Sequence, residues 1–162
     1  MITFKIDGFT KKQTQKITEA AEFFGKLLGM ERISYMLDIE RNRKLDVEGE
    51  CVCEEAQRNP RWFTITLRGK RSDEDMIKTL AHEMVHVKQY ARNELGKEMT
   101  LAKGGDGIRI ATRWKGEFWE PSKNECGYFD SPWEIEAYGR EVGLYQRWFD
   151  IKDKRLDKTA AI

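Results

Sequence analysis

The two histidines of this 162-residue chain stand four positions apart, within His82-Glu83-Met84-Val85-His86. The stretch from about Asp73 to Leu95 reads as a helix. Ser72 and Asp75 form its capping pair, with Asp in place of the usual Glu, and Asp73, Glu74 and Asp75 suit the positive end of the helix dipole. Four residues advance a helix by one turn and about 40°, so both imidazoles project from one face toward a common point. That geometry suits two nitrogens binding one Zn²⁺ at about 2.0–2.1 Å each. Glu83 sits beside the first of them, where a carboxylate can take a proton from a water and deliver it to a leaving amine. A shuffle of this composition gives the spacing, with Glu after the first His, about once in seven hundred. Two unrelated surface histidines are therefore the weaker reading.

A catalytic zinc site takes three protein ligands and keeps its fourth position for water or substrate. No third His exists, so the remaining ligand must be a carboxylate or a thiolate. Ser131-Pro132-Trp133-Glu134-Ile135-Glu136-Ala137-Tyr138 is the best segment, read as the start of a helix with Ser131 as N-cap and Pro132 in first place. It offers Glu134 or Glu136. Glu134 falls at the third helical position, so an ordinary capping box would bind its carboxylate back to Ser131 and leave Glu136 as the ligand. Gln89 lies on the histidine face, either orienting a ligand or simply solvated. Tyr138, one turn after Glu134, and Tyr128 are candidates to stabilise an oxyanion, against the plainer reading of half-buried tyrosines with ordinary hydrogen bonds.

Elsewhere the pattern is α+β. Ile17, Ala20, Ala21, Phe24, Leu27 and Leu28 trace one face of a helix between Thr10 as N-cap and Gly29 as its stop. Ile33 to Ile39 and Leu45 to Cys53 then alternate with period two and read as a hairpin, followed by a strand with Phe63, Ile65 and Leu67. These three strands are expected to make an antiparallel-type sheet. Cys51 and Cys53 share its apolar parity and read as packing residues. Lys103 to Gly107 is expected as a loop, and Ile108 to Trp114 as a short strand turning at Lys115-Gly116. The last helix is expected to run to about Phe149. Trp114, Phe118, Trp119, Trp133 and Trp148 read as core aromatics before groove residues. A formal charge of +1 does not point to a nucleic-acid partner, and no apolar run approaches a membrane span of about 20 residues. Three cysteines and no signal-like start suggest a reducing cytoplasm.

His-Glu-x-x-His followed downstream by a helix bearing Glu-x-x-Ala resembles the gluzincin branch of zinc metallopeptidases. The strand-then-helix entry into His82 also looks like the SprT-like and small phage-type zinc peptidases. The resemblance implies a single zincin-like domain over residues 1–162, with Zn²⁺ on His82, His86 and Glu134. It further implies Glu83 as general base, and a protein or peptide as substrate. Glu134 with Ala137 matches the family register, while Tyr138 stands where an Asp is usual. A third His and a C-terminal zinc ribbon, common in SprT-like proteins, are missing. The segment 108–114 is expected to offer a strand edge to an extended substrate. The alternatives are a DNA-associated protease of the SprT-like kind and a catalytically silent, metal-stabilised binding module.

Overall fold

The computed structural model describes residues 1–101, 107–120 and 127–160. The fold is α+β, with three helices and two sheets among the described residues. Strand β1 (Ile2–Asp7) leads into α1 (Lys11–Leu27), and β2 (Tyr35–Asn42), β3 (Gly49–Cys53) and β4 (Trp62–Arg68) follow. Next come α2 (Asp73–Ala91), β5 (Leu95–Leu101), β6 (Ile108–Trp114), β7 (Glu117–Phe118) and α3 (Pro132–Ala160). One turn of 3-10 helix, Gly127–Asp130, precedes α3.

The helix punctuation is as expected. The Thr10 side chain accepts from the Gln13 amide while the Gln13 side chain returns to Thr10, and Gly29 closes α1 at a φ of 73°. The Ser72 side chain likewise accepts from the Asp75 amide. Helix α2 ends at Ala91 instead of Leu95, because Arg92 and a left-handed Asn93 turn the chain into β5. Helix α3 runs past Phe149 to Ala160. Lys103, Gly104, Gly105 and Asp106 of the expected loop lie outside the described residues, as does Cys126.

The strand pairing corrects the expected hairpin and the three-stranded antiparallel sheet. The sheet has four strands in the order β1-β2-β4-β3; β2 is parallel to both β1 and β4, and only β3 and β4 are antiparallel. Period-two alternation tells which face of a strand is buried but not which strand lies beside it. The missed β1 alternates in the same way, with Ile2, Phe4 and Ile6 inward. A helix joins β1 to its parallel neighbour β2, the usual crossover. The chain then passes β4's place to lay β3 on the far edge, so β4 is central and Phe63, Ile65 and Leu67 are sealed in the core. The second sheet, β5-β6-β7, is antiparallel and turns at Lys115-Gly116, both with positive φ.

Helix α2 is the centre. Every residue from Leu80 to Gln89 is buried. Ile77, Leu80, Met84 and Val85 join the core with α1 and the sheet, while Ala137, Leu144 and Trp148 of α3 join the same core cluster. Trp148 stacks on Phe23 and Phe24 as a core residue, and Trp133 packs between Trp114 and Trp119. Phe118 stays exposed under Arg113. Among the described residues no helix is long and apolar enough to cross a membrane.

Buried Lys88, in the last turn of α2, bonds Glu94 at 2.5 Å and Glu136 of α3 at 2.7 Å, tying three elements together. Lys88→Ala would leave two carboxylates facing each other in a nearly dry site. We expect it to lower the unfolding free energy in urea by about 3 kcal/mol. Arg140→Ala, which removes only the exposed partner of Glu136, should cost less than about 1 kcal/mol.

Candidate metal centre

The helical spacing of His82 and His86 places their rings 5.0 Å apart on the side of α2 that meets α3. Across from them, Glu134 in the first turn of α3 sends its carboxylate down between the rings. Oε2 lies 3.4 Å from His82 Nε2 and Oε1 lies 3.4 Å from His86 Nε2. The capping alternative for Glu134 is therefore not taken. Helix α3 begins instead with the Ser131 carbonyl accepting from the amides of Glu134 and Ile135. Glu136 points the other way, onto Lys88, Gln89 and Arg140, as two helical positions about 200° apart require. Ala137 is fully buried between these carboxylates, and its small side chain lets α3 approach α2 closely.

The outer nitrogens of the imidazoles are held as well. His82 Nδ1 lies 2.9 Å from Glu141 Oε2, and His86 Nδ1 lies 2.8 Å from Gln89 Oε1. The Gln89 amide nitrogen donates to the Trp133 carbonyl and to Glu136, so its oxygen must face His86 and accept. Both neutral rings thus carry their proton on Nδ1, and both Nε2 lone pairs turn toward Glu134. Three acceptors converge there with no donor among them, and Glu134 Oε2 is buried without a hydrogen-bond partner. A cation resolves this. Ligands at about 2.1 Å from a tetrahedral metal lie about 3.4 Å from one another, and each Nε2 lies 3.4 Å from one of the two Glu134 oxygens. His82, His86 and Glu134, all buried, are thus a group able to hold a metal ion.

Glu83 is outside this group but lines the same cleft of about 960 Å³ as His82, His86 and Glu134, together with Gly49, Thr79, Tyr138 and Glu141. Burial raises its pKa to about 7, although the neighbouring imidazoles favour its charge. Burial acts against ionised Glu134 too, but His82 and His86 outweigh it and bring Glu134 down to about 2. Burial opposes a charged His82, yet the carboxylates of Glu134, Glu83 and Glu141 raise its pKa overall.

Tyr138 packs edgewise on His82, with ring centroids 4.6 Å apart, and Tyr128 stands near enough to Glu134 for burial and that carboxylate to raise the pKa of its hydroxyl. Both tyrosines line the cleft. The structure therefore brings His82, Glu83, His86, Glu134, Tyr138, Tyr128 and Gln89 together and leaves Glu136 outside the donor group. Glu141 was missed. Its signal was available: seven residues after Glu134, it shares that residue's helix face. Comparison with protein-family models, curated proteins and solved structures returns no match, so the chemistry of the site rests on its own residues.

Alanine at Glu134 should abolish stoichiometric binding of a divalent metal, while Glu136→Ala should retain it. Glu141→Ala should weaken binding roughly 10–100-fold, since it frees the His82 ring without removing a ligand. Isothermal titration of the four proteins checks all three.

The metal-free site also has a defined pH response. Between pH about 2 and 4.5 ionisation of Glu134 adds stability as pH rises, because its pKa is depressed in the fold. From about 4.5 to 7 stability is lost, because Glu83 keeps in the fold a proton that the unfolded chain releases. The raised pKa of His82 adds a loss above 6.5. In chelator, the fall in Tm between pH 5 and pH 8 should be smaller for Glu83→Gln than for the wild type.

Proposed function

We propose that the chain is a zinc-dependent hydrolase acting on peptide bonds. The observation that carries this reading is the division of labour among buried carboxylates on one cleft. Glu134 completes a three-acceptor group with His82 and His86, and Glu83 stands beside that group without joining it. Zinc held by these residues would polarise a scissile carbonyl and make a bound water acidic. Two histidines and a carboxylate suit this metal and leave a position open for water.

The protein's own groups then divide the work. Glu83, buried on the same cleft as the donor group, accepts the proton of the attacking water and returns it to the departing amine. Glu141 and Gln89 fix the rings of His82 and His86 with Nε2 inward. Tyr138, half exposed beside His82, is the candidate to donate to the developing oxyanion, and Tyr128 the second.

A polypeptide substrate fits the cleft wall. Strand β3 is the open edge of its sheet: Arg68 donates to the Glu48 carbonyl at 2.9 Å and Glu54 to the Trp62 carbonyl at 3.0 Å. The intervening Gly49, Cys51 and Cys53 therefore turn their main-chain groups away from β4. An extended chain pairing with them would pass Glu83. This edge is better placed than segment 108–114, which β5 covers along its length and β7 at Arg113 and Trp114. The net charge of +1 lends no support to the DNA-associated alternative. Cys51 and Cys53 are free thiols, which fits a reducing, cytoplasmic setting.

The test combines metal analysis with turnover on an unfolded protein. Wild type should bind one equivalent of zinc and cleave. Glu83→Gln should keep the zinc and lose at least about 10²-fold in kcat. Loss of zinc from Glu83→Gln, or one bound zinc in wild type with no cleavage, would overturn the reading; the second result favours the silent binding module.

A further inference from the structure

At Gly49 the open edge of the four-stranded sheet comes against α2. A Cβ placed on Gly49 would lie 2.5 Å from Thr79 Cγ2, 2.8 Å from Glu83 Oε1 and 3.1 Å from Glu83 Cγ. All three are shorter than ordinary contact. The backbone does not itself require glycine here, since Gly49 is absent from the positive-φ positions, unlike Gly8 or Gly29. Space is what excludes a side chain.

The two obstructing groups do not yield equally. Thr79 is β-branched and stiff on its helix, whereas Glu83 Oε1 is the far end of a flexible side chain. A methyl at position 49 would therefore press the Glu83 carboxylate out of its place, by some tenths of an ångström or by a change of rotamer. Misplacement on the order of 1 Å can cost 10²-fold in rate. Neither the metal-holding group nor its supports lies among these contacts.

We propose that Gly49 is a positioning residue for Glu83: its missing side chain is the space in which the carboxylate is held at the cleft. The inference rests on Glu83 acting as the general base. It also joins two features that look independent, because the strand edge and the acid–base group can share one wall of the cleft only if the residue between them has no side chain.

Two measurements test it. In turnover, Gly49→Ala should retain one equivalent of zinc and lose on the order of 10²-fold in kcat with little change in KM. A rise in KM at constant kcat would overturn the proposal and leave Gly49 a strand-edge residue only. The second measurement needs no activity. Gly49→Ala is introduced into Thr79→Ser, where Glu83 is the remaining obstruction, and into Thr79→Ser with Glu83→Ala. In the first background Tm should fall by roughly 2–4 °C, and in the second the fall should vanish. Equal falls in both would show that position 49 does not feel Glu83, and the proposal would be lost. If wild type bound zinc and cleaved nothing, the peptidase reading would fail, and the thermal cycle alone would decide whether Gly49 places the carboxylate.

Discussion

A helix buried on every side normally contains only apolar residues, because each buried polar group needs a partner. Helix α2 breaks this expectation. Its buried run from Leu80 to Gln89 includes His82, Glu83, His86, Lys88 and Gln89. Glu136 of α3 accepts from Lys88 and Gln89, and Glu141 of α3 pairs with His82, while His82 and His86 turn their Nε2 atoms to Glu134. Helix α3 is therefore held to α2 at one end by the bonds of Glu136 and Glu141, and Ala137, Leu144 and Trp148 carry it into the common core. Glu83 is the exception, since it faces the cleft and not α3. Its pKa is raised by burial, against the pull of the neighbouring imidazoles.

Glu134, Ala137, Glu141, Leu144 and Trp148 of α3 form one stripe at helical spacings of three and four, which runs from the donor group on α2 to the core shared with α1. Its first half is chemical and its second half is core. The rotation of α3 that seats Trp148 against Phe23 and Phe24 is the same rotation that aims Glu134 between the two imidazoles. A core substitution near Trp148 would thus act at a site several turns away.

How much of this was legible in the sequence depends on the range of the interaction involved. His82, Glu83 and His86 were readable because their geometry is set within one turn of helix. The caps at Thr10 and Ser72 and the Lys115-Gly116 turn were readable for the same reason. Strand pairing was not: β2 lies between β1 and β4 and not against β3, and the two-residue period looks the same in either arrangement. Strand β1 and the β5 partner of β6 were missed because short alternating runs are weak signals until a neighbour completes them. The ambiguity of Glu134 was a conflict between local and distant demands. A capping box is specified within the helix mouth, whereas the place of Glu134 between two buried imidazoles is specified by the packing of α3 on α2, which no local pattern contains.

Glu136, although outside the donor group, still acts on it. It accepts from the Gln89 amide, which fixes that amide's orientation, and the orientation decides that Gln89 presents oxygen to His86 Nδ1. That choice puts the histidine proton on Nδ1 and the lone pair on Nε2, facing Glu134. The two glutamates on opposite sides of α3 therefore define the same imidazole from its two nitrogens, one directly and the other through an amide. The second arrangement is protected from exchange by depth, since Gln89 is fully buried. His82 is oriented differently, by the more exposed carboxylate of Glu141. The histidines are thus equivalent in the sequence motif but not in their support: His86 is held by a neutral buried amide and His82 by a charged group at the cleft. A carboxylate partner makes an imidazole more basic, so the Glu141 contact strengthens His82 as an electron donor.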